Sequence, residues 1–383
     1  MTRVAPALAS RLTGELAGWL EGPPDDPSAM LLTWGPDDWT AFRRVVLFQG
    51  LAPHLARILP SSSAVAAIQH ATLDWLAGQA DQNARRIGRM HEELAAILAA
   101  AAGAGIEVMP LKGAILTTLP GTDPARRPMA DLDLLVHPGD REPLAAVLTG
   151  LGYRREHDDA PHPTHDVFLD PSGRQVSAHE GEHPDNPRRV EVHVEVKRHL
   201  WGWTIDDDLT ETLWRGSVVG VVLGQPATVP EPRALLAHLA IHATSDLLVG
   251  RGRLVQWLDL GSVAPAVPGL DLLPHPRIAY PSLRLAARAQ PETMAGAEIE
   301  LARLERSVPP RLARWAAAVT LDARSGLTTG RPPDAPAGFG ARWERWRPER
   351  WRLDVAYGDL GLPEALVRYG WTVTARTLGR HRA

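Results

Sequence analysis

The 383-residue chain contains no cysteine. This excludes a disulfide framework, thiolate metal sites and cysteine nucleophiles. Lysine is almost absent as well: of 41 basic side chains only Lys112 and Lys197 are lysines, and the others are arginines. Tyrosine and phenylalanine number four each, so the aromatic content rests on 13 tryptophans. There is no excess of positive charge, since 45 acids leave a net charge of −4, and no global field calls for nucleic acid. No apolar run approaches the roughly 20 residues of a membrane helix. The first residues, MTRVAPALASRLTGELAGWLEG, lack an apolar core of the signal-peptide kind, so a cytoplasmic location without a membrane span is expected. What is present, 44% apolar and 22% charged residues, is the composition of a folded globular chain.

Hydrophobic periodicity divides the chain into four stretches. Residues 1–105 read as a helical N-terminal region. A helix is expected over Asp38–Leu59, followed by a Ser-rich break, and a long Ala/Leu-rich one over Ala64–Ala102 stops at Gly103 and Gly105. Residues 106–229 read as an α/β core. IEVMPL resembles a buried strand, AILTTL a short helix, DLDLLV a strand, and Asp140–Leu151 a helix stopped by Gly152. Strand-like pieces follow at Tyr153, Asp166–Leu169 and Gln175–Ala178. The clearest strand is Val190–Val196 (VEVHVEV), with four valines on one face and Glu191, His193 and Glu195 on the other. Residues 230–325 read as a helical C-terminal domain, and 326–383 as a linker with a Trp/Arg-rich tail. The fold class expected is α+β: a small mixed β-sheet flanked by helical regions.

Chemistry belongs to the α/β core. Asp131 and Asp133 are two apart on a strand, so both carboxylates leave one face. Paired carboxylates repel unless a cation lies between them, and hard divalent ions such as Mg²⁺ take oxygen ligands. If Val190–Val196 pairs beside DLDLLV, Glu191 joins them. Three acids holding two metals suit in-line phosphoryl or nucleotidyl transfer. A D-x-D alone equally suits the solvent face of an edge strand. Here it follows a glycine-containing strand-to-helix turn that carries Lys112, one of the two lysines.

The run LKGAILTTLPGTDPARRPMADLDLLV, followed by a helix and then Gly-Tyr, resembles the nucleotidyltransferase superfamily. More narrowly it resembles the bacterial uncharacterised nucleotidyltransferase family, over about Trp39 to Val263. The resemblance implies a nucleotidyltransferase-like core in which Asp131 and Asp133 are paired metal ligands and Glu191 the third carboxylate. Lys112 and Gly113 would form the nucleotide-binding turn. The usual Gly-Ser is Lys-Gly-Ala in this chain, so Lys112 stands where a serine phosphate contact is missing. Arg126 or Arg127 would neutralise phosphate, and His193 would orient Glu191 or touch phosphate. The implied cofactor is Mg²⁺ (or Mn²⁺) with ATP or another NTP as substrate. The acceptor stays open between a small molecule, sugar, peptide or protein. Two other readings are a catalytically silent binding or scaffold protein and a toxin-like enzyme modifying tRNA or protein.

Other features read blandly. His242 and Asp259 suit a packed histidine and a capping aspartate. The His/Asp-rich runs 157–166 and 179–185 match no zinc spacing and read as solvated loops. The tail ARWERWRPERWR suits an amphipathic surface segment more than a nucleic-acid or membrane contact. A lysine retained amid so many arginines calls for a compact point charge rather than a planar fork. Lys112→Arg is therefore expected to weaken nucleotide binding or turnover, read by titration with a labelled triphosphate. Unchanged kinetics would return Lys112 to the background.

Overall fold

Helices α1 (Pro6–Glu21), α2 (Pro36–Gln49), α3 (Ala52–Ile58) and α4 (His70–Gly103) precede the first strand. The computed structural model describes residues 6–21, 34–61, 68–119, 122–156, 165–170, 172–174, 176, 183–197, 208–248, 252–318, 350–358 and 360–379. The loop 157–164, most of 175–182 with its expected strand, and the tail over 319–349 lie outside the described residues. The helix expected over 38–59 is two helices. Gly50 adopts a left-handed φ of 71° and ends α2, a conformation glycine reaches without a Cβ penalty. Pro53, in the first turn of α3, suits a helix start.

By compactness the chain forms two units, one of residues 25–197 and 208–231, the other of 1–24, 198–207 and 232–383. In the first, α4 runs for 34 residues and buries a stripe that includes Leu76, Asn83, Arg86, Ile87, Met90, Leu94 and Ile97. The strands β1 (Met109–Leu111), β2 (Asp131–Leu135), β3 (Arg154–Arg155), β4 (His165–Leu169) and β5 (Arg189–His193) form one sheet in the order β1-β2-β5-β4-β3. Helices α5 (Gly113–Leu116) and α6 (Arg141–Gly150) lie between them in sequence. Only β2 and β5 run parallel, so the sheet is mixed and the fold α+β. Leu132, Leu134, Phe168, Val190 and Val192 are fully buried. The alternation of period two leaves Asp131, Asp133 and Glu191 of β2 and β5 to the opposite face. β5 ends at His193, short of the expected Val196, because β2 and β4 supply no partner beyond that point.

A hairpin that the periodicity does not announce follows α7 (Thr210–Trp214): β6 (Val218–Val222) and β7 (Gln225–Val229). Its two turn residues, Leu223 and Gly224, have φ of 51° and 78°, as a two-residue turn that matches strand twist requires. The backbone N–H of Thr228 donates to the carbonyl of Val108, 2.9 Å away, just ahead of β1. The other unit is helical, and α8 (Pro232–Leu248), α9 (Leu254–Val263) and α10 (Pro276–Ala289) are among its well-buried elements. No helix of the described residues is long and apolar enough to cross a membrane.

At the far edge of the sheet, Asp166 points to the buried face with only 4% exposure. It accepts from Arg141 Nε at 2.8 Å and Nη2 at 2.7 Å, and from Arg155 Nη2 at 2.6 Å. This network ties α6, β3 and β4 together. Burial works to raise the Asp166 carboxyl, but the two arginines outweigh it and hold the carboxyl below its ordinary range. A depressed folded pKa contributes stability above the unfolded value, near 4, which is lost as pH falls through the folded one. Asp166→Asn removes one partner of a buried pair and is expected to cost about 3–5 kcal/mol at neutral pH. Urea titrations should show a gap from the parent that is steady from pH 7 to about 4 and narrows as pH falls further. A gap that does not narrow below about pH 4 overturns the assignment.

Candidate active site

Lys112 follows β1 directly, and its backbone is unusual. It adopts φ 46° and ψ −124°, a region that costs a non-glycine residue about 1–3 kcal/mol. That turn sends the lysine side chain toward β2, where Nζ lies 2.5 Å from Asp133 Oδ1. Gly113 opens α5 and allows a close approach. A Cβ there would sit 2.4 Å from Arg127 Nη1 and 2.7 Å from Met129 Sδ. Arg127 is thereby packed over the turn, and it also donates to the carbonyl of Pro128.

The parallel register of β2 and β5 sets Asp133 opposite Glu191, Asp131 opposite Arg189 and Leu135 opposite His193. His193 Nε2 bonds Asp133 Oδ1 at 3.0 Å and lies 3.5 Å from Glu191 Oε2. Asp133, Glu191 and His193 present ligand atoms all within 4.8 Å of one another. Asp131 lies on the same strand face two residues earlier, half-buried and outside that group. Arg126 is directed elsewhere, with its Nε 3.5 Å from Asp123 Oδ2. His242 lies in the other unit, 3.2 Å from Asp246, and Asp259 is buried in α9 of that unit. Glu195 pairs with Lys197 at 3.0 Å, beyond the end of β5.

Charge is distributed unevenly over the acids. Burial and then the neighbouring Asp133 push Asp131 up to about 7, with Glu191 adding to the effect and Lys112 and Arg127 opposing it. Burial would raise Asp133 too, but Lys112 and the His193 hydrogen bond hold it far below the carboxylate range. Glu191 is likewise held down against burial by His193. The histidine itself is raised by its bonds to both acids, in spite of burial. Two ionised carboxylates and an imidazole, with a third carboxyl beside them, form an oxygen-rich donor set that fits a divalent cation such as Mg²⁺ or Mn²⁺.

Three residues that the sequence reading does not assign to this site complete the picture, His165 among them from a run that reads as a solvated loop. His165 opens β4, and its ring centroid lies 5.2 Å from that of His193. Asn83 Nδ2 donates to the carbonyl of Ala125 at 2.5 Å, which holds the loop ahead of β2. Arg86 is fully buried. Its five donors reach the carbonyls of Met129 at 2.8 Å, Ala130 at 3.0 Å, His183 at 3.1 Å, Asn186 at 3.0 Å and Pro187 at 3.1 Å. Both acidic strands therefore begin from one guanidinium. The available signal was the pattern of α4, where Asn83 and Arg86 occupy positions of its buried stripe.

Residues 35–267 match the family described as "Uncharacterised nucleotidyltransferase", and the chain belongs to that family. No curated protein matches it. The solution structure of the antibiotic-resistance factor ANT(2'')-Ia is 17% identical and covers 57% of this chain and 97% of that chain, with a TM-score of 0.28. At that score the two folds are not equated.

Replacing Arg86 by methionine strips five carbonyls of their donor, those of Met129 and Asn186 in buried bonds and the other three in part-buried ones. Each such group costs about 1–3 kcal/mol when left unmade, so Arg86→Met is expected to lower unfolding free energy by at least about 3 kcal/mol. Arg86→Lys, with three donors, should recover part of the loss. An unchanged urea midpoint in the methionine variant would remove Arg86 from this role.

Proposed function

We propose that this chain transfers a nucleoside monophosphate from a nucleoside triphosphate to an acceptor, with release of pyrophosphate. The observation that carries this reading is the β2–β5 register, which sets Asp133 against Glu191 on the face that also bears Asp131, beside the Lys112–Gly113 turn. Family membership supports the same chemistry. Asp131, Asp133 and Glu191, with His193 Nε2 beside them, would hold Mg²⁺ or Mn²⁺, which supplies charge neutralisation for the triphosphate and the leaving pyrophosphate.

The chain's own residues have separable parts. Asp133 is buried and held ionised, so it offers a fixed anion without reorganisation. Glu191 is more exposed, at 23% of its side chain against 2% for Asp133. We assign Glu191 the proton of the acceptor group as that group attacks the α-phosphorus in line. Lys112 and Arg127 bring positive charge to the phosphates, the lysine as a point charge and the arginine as a planar fork. Gly113, with no Cβ, lets the Arg127 guanidinium lie against the turn. The acceptor is a small molecule, sugar, peptide or protein.

The test is incubation with Mg²⁺ or Mn²⁺ and each labelled NTP, following binding and release of pyrophosphate. The Asp131→Asn/Asp133→Asn protein, checked for folding by circular dichroism, is the control. The double variant should lose transfer by about a hundredfold or more. No metal-dependent triphosphate binding in the parent sinks the reading. Binding that survives the double substitution moves the site elsewhere. Binding without transfer to any acceptor leaves a nucleotide-binding protein in place of an enzyme.

A further inference from the structure

Asp133 Oδ1 accepts from two donors at once, Lys112 Nζ at 2.5 Å and His193 Nε2 at 3.0 Å. The same carboxylate belongs to the one group of the described residues whose ligand atoms lie within 4.8 Å of one another. An ammonium group thus already neutralises the carboxylate that a divalent cation bound to Asp133 and Glu191 would need. Both positive charges could hold that carboxylate only at short range from each other, where like charges repel strongly in a poorly hydrated site.

The lysine is built to leave. Its side chain is 21% exposed, against 2% for the aspartate it holds. Its stem is flexible, its head a compact charge that does not depend on a planar, two-point fit. It reaches Asp133 from a backbone held at φ 46°, a conformation maintained by surroundings rather than by residue preference. An arginine in its place would grip a carboxylate through two parallel bonds. In a chain that uses arginine for nearly every other cation, the exception falls where a charge must be exchanged.

We propose that Lys112 is a resident counter-cation for Asp133, displaced when a divalent metal binds, so that its amine is freed for the triphosphate. The inference rests on the nucleotidyl-transfer reading above and adds an order to it: the metal takes over the carboxylate as the lysine turns to phosphate. Metal and nucleotide then bind cooperatively, because phosphate rewards the lysine for leaving.

The scarcity of lysine makes the exchange directly readable. With Lys112 and Lys197 the only lysines, a water-soluble amine-acylating reagent and mass spectrometry of the two peptides report each amine separately. Lys197, paired with Glu195 at 3.0 Å and Asp208 at 3.3 Å, is an internal reference. Mn²⁺ binding is followed in the same samples by electron paramagnetic resonance. Bound Mn²⁺ should raise labelling of Lys112 relative to Lys197 several-fold, and a non-hydrolysable triphosphate analogue added with Mn²⁺ should reverse the rise. Mn²⁺ bound with Lys112 labelling unchanged overturns the proposal and leaves the metal site standing. If the parent binds no Mn²⁺, Lys112→Gly decides, since it removes the amine and suits the turn conformation. Tighter Mn²⁺ binding in that variant upholds the exchange. No binding in either protein overturns both the exchange and the metal reading.

Discussion

Five hydrogen bonds from one buried guanidinium fix where both acidic strands begin. Arg86 takes its donors to Met129 and Ala130, immediately ahead of β2, and to His183, Asn186 and Pro187, ahead of β5. Asp131 and Glu191 are 60 positions apart in the chain, and a parallel pairing between their strands has no hairpin to set its register. A slip of one residue would turn Asp133 and Glu191 to opposite faces. The planar fork of Arg86, locked into α4, gives both strands a common origin. Burying so polar a group is costly unless every donor is satisfied, so the arrangement forms completely or is disfavoured.

The site that hangs from this origin is electrostatically tense. Three carboxyl groups share one face, and two of them are ionised because Lys112 and His193 neutralise them. The third, Asp131, is pushed up to about 7 by burial first and then by the charge of Asp133, against the opposing pull of Lys112 and Arg127. A fold selected only for stability would replace such a cluster with apolar residues of similar volume, a change that often stabilises buried ion pairs. Strain at Lys112 adds to the cost. Perturbed carboxyls and backbone strain tend to cluster at functional sites, and their coincidence here is a reason the proposed site is placed at this face.

The sequence exposed the parts of this arrangement that depend on local order. The alternation in DLDLLV and VEVHVEV assigns the faces of β2 and β5 residue by residue, and Asp131, Asp133, Glu191 and His193 follow from it. The Lys-Gly turn is visible as the one lysine in a motif. Long-range features were not legible in the same way. Nothing in periodicity specifies that β2 and β5 run parallel, or that β4 lies on the other side of β5. His165 falls at the end of a polar run that reads as solvated loop, yet β4 places it against His193. Asn83 and Arg86 look like polar interruptions of an apolar stripe, and only the backbone they satisfy explains them. The β6–β7 hairpin was hidden because its turn, Leu223–Gly224, puts a leucine where a left-handed φ is uncommon. Arg126 and Arg127 are adjacent and chemically identical. Sequence cannot separate them, whereas the structure sends one to Asp123 and packs the other over Gly113.

Anchors and mobile charges are divided between different residue types. The anions stand on strands whose starting points are pinned by an arginine with every donor engaged, and the imidazole that bridges them is itself a ladder residue. The compensating ammonium stands at the end of a four-carbon stem on a strained turn, partly open to solvent. Interchanging the two cations would defeat both roles. A lysine at position 86 offers three donors to five carbonyls, and an arginine at 112 would clamp a carboxylate that has to accept another partner. The near-absence of lysine follows composition across the chain, but its retention here follows from the difference between a charge that holds a frame and a charge that must move.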